Sequence, residues 1–174
     1  MEEQRSFMRI PTRLHGHLRV LPGPEDIPLY RETPPMGAGF CTGDPRDAGM
    51  NESLYALLHS IDAKLDMLLS LHNRNEIEAD FPVPMNIVDI SGAGVRFSSP
   101  QELAIDQYVE AVIILYRFPL RMAGAVGRIA RREPQDGVDI YALDFTRIRE
   151  RDLESIVQFV FQSQRDDLRG NKWD

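Results

Sequence analysis

Apolar and polar residues alternate in several separate stretches of this chain, and each such stretch predicts a β-strand with one buried face. Leu14, Leu18 and Val20 interleave with His15, His17 and Arg19, which gives a first strand. Val83, Met85 and Ile87 repeat the pattern, a polar turn follows at Asp89-Ile90-Ser91-Gly92-Ala93-Gly94, and Val95 and Phe97 resume it. Tyr108 to Tyr116 is a nearly continuous apolar run. Leu120 to Ile129 lies beyond the break Arg117-Phe118-Pro119, and Val138 to Phe145 beyond the turn Glu133-Pro134-Gln135-Asp136-Gly137. Six antiparallel strands suit a small barrel, because closure removes the exposed sheet edges. The period then changes. Leu153, Ile156, Val157, Val160 and Phe161 form one face of a helix over Arg151 to Gln164, expected to lie against an open end of the barrel. Arg169 to Asp174 is expected to fray.

Two segments interrupt the strand pattern. Leu21 to Met50 holds six of the twelve prolines and five glycines, a composition that excludes a helix or central strand and offers little to bury, so residues 21–50 are expected to be a partly disordered linker. After it, Leu54, Leu58, Ile61, Leu65 and Leu68, then His72, follow the spacing of a heptad seam. They predict a helix of about 25 residues, roughly 37 Å long, started by Asn51 or Ser53 and followed by a polar connector over His72 to Asp80. Full burial of five aliphatic side chains is worth roughly 7 to 15 kcal/mol. The stripe therefore needs a partner surface. Flexible or polar flanks and the extra width from Leu57, Leu69 and Leu71 favour other copies of the chain, a tetramer above all, over the chain's own barrel. The expected organisation is an arm and first strand over 1–20, the linker over 21–50, an inserted oligomerisation helix over 51–80, and the rest of the barrel with its closing helix over 81–174.

Composition narrows the function classes. The chain has 174 residues, 43% of them hydrophobic, enough for one domain with a real core. Its net charge of −7, with basic residues spread among acids, argues against a nucleic-acid surface. The single Cys41 excludes an internal disulfide and fits a reducing compartment. No apolar run reaches membrane-spanning length, and Met1-Glu2-Glu3 is unlike a secretory signal, so a soluble cytoplasmic protein is expected. His15 and His17 share a strand face without a third ligand nearby, so no metal site is expected. No nucleophile elbow, nucleotide-binding glycine fingerprint or zinc-protease helix is present, and the acids Glu76, Glu78 and Asp80 read as a solvated run; catalysis is not expected.

Candidate chemistry sits at two places. The turn at Asp89 to Gly94 offers a carboxylate, a hydroxyl and two glycines that admit a ligand to the backbone. Near the start, Arg5, Arg9 and Arg13 are spaced by four, so that Arg5 with Arg9 or Arg9 with Arg13 forms Arg-x-x-x-Arg ahead of a strand. Such a pair followed by Asp-x-Ser-x-x-Gly at a later strand turn resembles the PilZ domain family, over roughly residues 4–20 and 81–165. The resemblance favours Arg5 and Arg9, because an apolar residue and proline follow the second arginine at Ile10-Pro11.

The resemblance implies a mainly β fold, a six-stranded antiparallel PilZ-like β-barrel with a C-terminal helix, to which this chain adds a long coiled-coil-type helix as a departure from the minimal plan. It also implies binding of the bacterial second messenger cyclic di-GMP through Arg5, Arg9, Asp89, Ser91 and Gly94, with no other cofactor. Control of motility, biofilm formation or virulence through a downstream protein partner follows from the same resemblance. The competing expectation is an oligomeric adaptor that binds no ligand and works through its helix.

Overall fold

The structure, a computed structural model, describes residues 7–31, 49, 51–117 and 120–170. Its strands are β1 (Ile10–Val20), β2 (Val83–Ser91), β3 (Gly94–Ser98), β4 (Tyr108–Arg117), β5 (Leu120–Gln135) and β6 (Val138–Ile148). They close into a barrel in the order β1-β2-β3-β6-β5-β4, with every neighbouring pair antiparallel. The expected six-stranded barrel is therefore present. Its interior is filled from all six strands by residues such as Leu18, Met85, Phe97, Ile113, Ile129 and Leu143.

Several strand boundaries differ from the sequence pattern: β2 runs into the expected turn as far as Ser91, so that Asp89 lies in the strand, and β6 runs on to Ile148. β1 begins at Ile10, four residues before the alternation is visible. β5 continues to Gln135 because β5 and β6 run past the barrel as a charged ribbon, closed by a turn in which Asp136 (φ 52°) and Gly137 (φ 79°) both adopt left-handed backbone. Solvent faces both sides of that ribbon, so no apolar alternation marks it.

The last helix, α2 (Glu150–Gly170), packs Ile156, Phe159 and Val160 into the barrel core. Phe161, assigned above to the inner face, is instead 58% exposed. Asp152 sets the phase: its buried carboxylate accepts the Gly124 N–H at 3.2 Å, so the inward face runs through a polar residue and not through Leu153.

The segment between β1 and the long helix also departs from expectation. Residues 32–48 and 50 of the predicted linker, with Cys41, lie outside the described residues. Residues 21–31, however, form a strap fastened to the outer barrel wall. Glu110, 1% exposed within the apolar run of β4, accepts the Arg19 Nε–H at 2.7 Å and the backbone N–H groups of Leu29 and Tyr30 at 3.0 and 2.8 Å. A carboxylate is tolerated there because every approach to it is a donor. Tyr30 lies over Gly124, where a Cβ would overlap its ring. Prolines excluded regular structure here, but not burial.

The long helix, α1 (Glu52–Asp80), begins at the predicted cap, with Asn51 Oδ1 accepting the Ser53 N–H at 2.8 Å. It spans 29 residues, or about 43 Å. The predicted polar connector after His72 is its last two turns, supported by the i,i+4 pairs His72–Glu76 at 3.2 Å and Arg74–Glu78 at 2.9 Å. No residue of α1 is buried. Its end alone is secured: Ile77 packs with Phe81, Tyr30, Val112 and Met122 in a small second core outside the barrel. Among the described residues no helix is long and apolar enough to cross a membrane.

Candidate ligand site at the arm and the β2–β3 turn

Antiparallel pairing of β1 with β2 dictates where the arm goes. Ile10 stands opposite Ile90 and Pro11 opposite Asp89, so the residues preceding β1 emerge at the β2–β3 turn. The same pairing sends the strap and α1 out of the opposite end of these strands, where Leu18 faces Val83. A long insertion there leaves the arm and the turn side by side.

The contacts follow from this register. Arg9 Nη1 lies 3.4 Å from Asp89 Oδ1. Phe7 stacks over the turn at Gly92, where a Cβ would overlap its ring. Met8 touches Gln164 of α2, so the arm lies between the turn and the closing helix. Of the candidate pairs, Arg9 is thus brought to Asp89, while Arg5 lies outside the described residues. Arg13 lies within β1, and among the described residues the carboxylate's ion-pair partners are Arg9 and Arg96.

Asp89 is aimed by an irregularity in β2. Strict alternation from Val83, Met85 and Ile87 would turn position 89 into the barrel core. The register against β3 shifts between Ile87 and Asp89, so that Ile90 enters the core and Asp89 faces Arg96 across the strand pair. A bulge is the usual device for re-aiming a side chain in this way. Arg96 Nε lies 3.1 Å from Asp89 Oδ2, and the carboxylate is held between two guanidiniums. Sequence reasoning missed Arg96. Its signal was the polar position between the core residues Val95 and Phe97, one hairpin away from Asp89.

Ser91 and Gly94 have structural work at this turn. The Ser91 hydroxyl, buried, donates to the Gly94 carbonyl and accepts the Ala93 N–H, both at 3.2 Å. Gly94 lets β3 approach β6, since a Cβ would overlap the Leu143 carbonyl oxygen. Together they shape the corner that carries Asp89. Among the described residues no group of three or more His, Cys, Asp or Glu side chains could hold a metal ion. A cavity of about 450 Å³ between the strap and the start of α2 is a separate feature; Arg147 and Arg149 on its wall donate to the strap carbonyls of Asp26 and Tyr30.

Comparison with known proteins bears on the fold and the family. Among curated proteins, none matches the chain. Among solved structures, the fold is similar to that of the Bacillus subtilis inhibitor of motility (MotI/DgrA), with a TM-score of 0.52 at 11% identity, over 94% of this chain and 52% of that one. This chain therefore spans about half the length of the Bacillus protein. It is similar too to a pathogenic protein from Xanthomonas campestris, described as a tetrameric PilZ domain self-assembled via an unusual helical bundle, with a TM-score of 0.54 at 16% identity, over 94% of this chain and 92% of that one. At such identities the likeness concerns the fold. The sequence model of the PilZ domain matches residues 63–162, from the middle of α1 into α2, and the chain belongs to the PilZ domain family.

Proposed function

We propose that this chain is a cytoplasmic, non-catalytic receptor for cyclic di-GMP that self-associates through α1, as a tetramer. PilZ domains are regulatory receptors or adaptors. The observation that carries the receptor reading is the meeting of Arg9 with Asp89, 3.4 Å apart although separated by the strap and a 29-residue helix.

The chemistry suits a guanine dinucleotide. A guanidinium presents paired donors to phosphate oxygens or to the O6 and N7 acceptors of guanine, and its plane stacks on a base. Asp89 accepts from guanine's donor edge, whereas adenine lacks O6 and offers Asp89 the wrong pattern. Arg5 and Arg9 close over the ligand from the arm, while Ser91 and Gly94 keep the turn in the shape that admits it. A downstream protein partner then reads the ordered arm, with motility, biofilm formation or virulence as the output.

Isothermal titration with cyclic di-GMP is the test. Saturable binding, weakened roughly 10- to 100-fold in Arg9→Ala, is expected, since a charge-assisted bond is worth about 1.5–3 kcal/mol. Arg5→Ala and Arg13→Ala, run beside it, identify the second arginine. The competing reading is a non-binding oligomeric adaptor. It is favoured by the roles Ser91 and Gly94 already have in the fold, and absence of heat at high micromolar ligand would establish it in place of the receptor.

Self-association is supported by the uncovered stripe of α1 and by the helical bundle described for the Xanthomonas protein, whose length this chain matches.

A further inference from the structure

Asp89 has two cationic neighbours, and they are mounted differently. Arg9 stands on the arm ahead of β1, its side chain 41% exposed; Arg96 is built into β3 directly across from Asp89, its side chain 28% exposed. Arg96 is paired through its strand with β2 on one side and β6 on the other, whereas Arg9 precedes the sheet. Both lie within ion-pair distance of the carboxylate, yet Asp89 Oδ1 and Arg96 Nε are buried and make no hydrogen bond among the described residues. Buried polar atoms without a partner are rare in folded proteins, and each marks a place where an acceptor or donor is wanting.

We propose that Arg96 is a positioning residue for guanine selectivity, an inference that rests on the receptor reading. It holds the Asp89 carboxylate through Oδ2, so that its oxygens are presented to the N1–H and the exocyclic N2 amino group of guanine. Arg9 meanwhile departs for the ligand's phosphate or its base acceptors. The arrangement answers an electrostatic difficulty. If Arg9 were the sole counter-ion, drawing it to the ligand would strand a largely buried carboxylate, and the arm would stay clamped to the barrel instead. Arg96 neutralises Asp89 whether or not the arm is bound to it. Its planar guanidinium stands against Oδ2 through Nε alone, an oriented contact that a lysine's point charge would not reproduce. Arg96 Nη2 is itself steadied from outside by Gln135 Oε1 at 3.4 Å, on the extended β5–β6 ribbon.

The test compares cyclic di-GMP with cyclic di-IMP, the same ring lacking the 2-amino group, by calorimetric titration of the full chain. The wild type is expected to prefer the guanine ligand by roughly tenfold or more, the equivalent of one hydrogen bond to a charged group. In Arg96→Met the ratio is expected to fall toward one while weaker binding of both ligands persists through the arm. In Arg96→Lys the charge returns without that oriented contact, so overall affinity recovers but the ratio stays low. A merely structural arginine would lower both affinities together and leave their ratio untouched. Circular dichroism identifies which variants fold, and either folded variant decides the matter: a wild-type ratio overturns the inference and leaves the receptor reading intact. Failure of the wild type to bind either ligand withdraws both.

Discussion

Replacing both Leu58 and Leu65 with aspartate should reduce the proposed tetramer to single chains without disturbing the barrel. In the isolated chain Leu58 is 46% exposed and Leu65 51%, while the five seam residues Leu54, Leu58, Ile61, Leu65 and Leu68 range from 45% to 63%. Roughly half of each side chain is thus already hidden by its own helix. Association can hide only the remainder, about 0.75–1.5 kcal/mol for each residue and about 4–8 kcal/mol for each chain. That is half of what full burial would suggest, and the several kcal/mol needed to desolvate each of the two introduced carboxylates is enough to cancel it. The double variant should therefore scatter light as a particle of 19.9 kDa, and the wild type as one of four times that mass. Because no residue of α1 is buried within the chain, the strand signal in circular dichroism and the urea midpoint of the barrel should survive. An unchanged mass would refute assembly through this seam. A collapse of the midpoint with no change of mass would mean that the stripe packs on the chain's own barrel.

Three further outcomes follow from buried contacts. Glu110→Ala removes the acceptor of Arg19, Leu29 and Tyr30 together and should cost about 3–5 kcal/mol in urea unfolding; a loss below 1 kcal/mol would mean that the strap is not anchored there. Gly94→Ala should destabilise the barrel by about 1–3 kcal/mol even without ligand, because its Cβ overlaps the Leu143 carbonyl; loss of binding with full stability would assign this glycine to the ligand instead. Burial beneath the end of α1 lowers the pKa of His17 from its ordinary 6.5, with Glu78 opposing the shift. The unfolded chain then takes up a proton that the folded chain resists, so stability should fall as pH drops below about 6.5; His17→Gln should flatten that part of a pH series, and an unaltered slope would exclude this imidazole as its source.

The elements most visible in the sequence were those with one clean period. Val83, Met85 and Ile87, the run through β4, and the heptad of α1 each declare a buried or buriable face. What stayed hidden arose where two physical demands overlap. Glu110 looked like a single interruption of an apolar run, yet a lone carboxylate among such neighbours implies donors from elsewhere in the chain, and they come from the strap. Tyr30 was masked by its proline-rich surroundings, which forbid regular structure but leave an aromatic ring free to pack. The inner face of α2 was misphased because Asp152, a polar residue, belongs to it. The end of β2 carrying Asp89 was legible as a candidate, and antiparallel register brings Arg9 to it. Arg96 escaped notice because a bulge, which leaves no mark on composition, turns Asp89 toward it.

β1 carries one more consequence. It is separated from its partners by the strap and α1, yet it pairs with β2 on one side and β4 on the other, and so completes the ring of strands. A fragment trimmed to begin at α1 would present two raw sheet margins, which invite pairing with foreign chains. During folding, the sheet must wait for this remote stave, and only its arrival delivers Arg9 to Asp89. On the receptor reading, completion of the cylinder and creation of the proposed binding corner are one event, so species that have not yet accepted β1 should be blind to cyclic di-GMP, and the nucleotide should in turn draw the population toward the closed form.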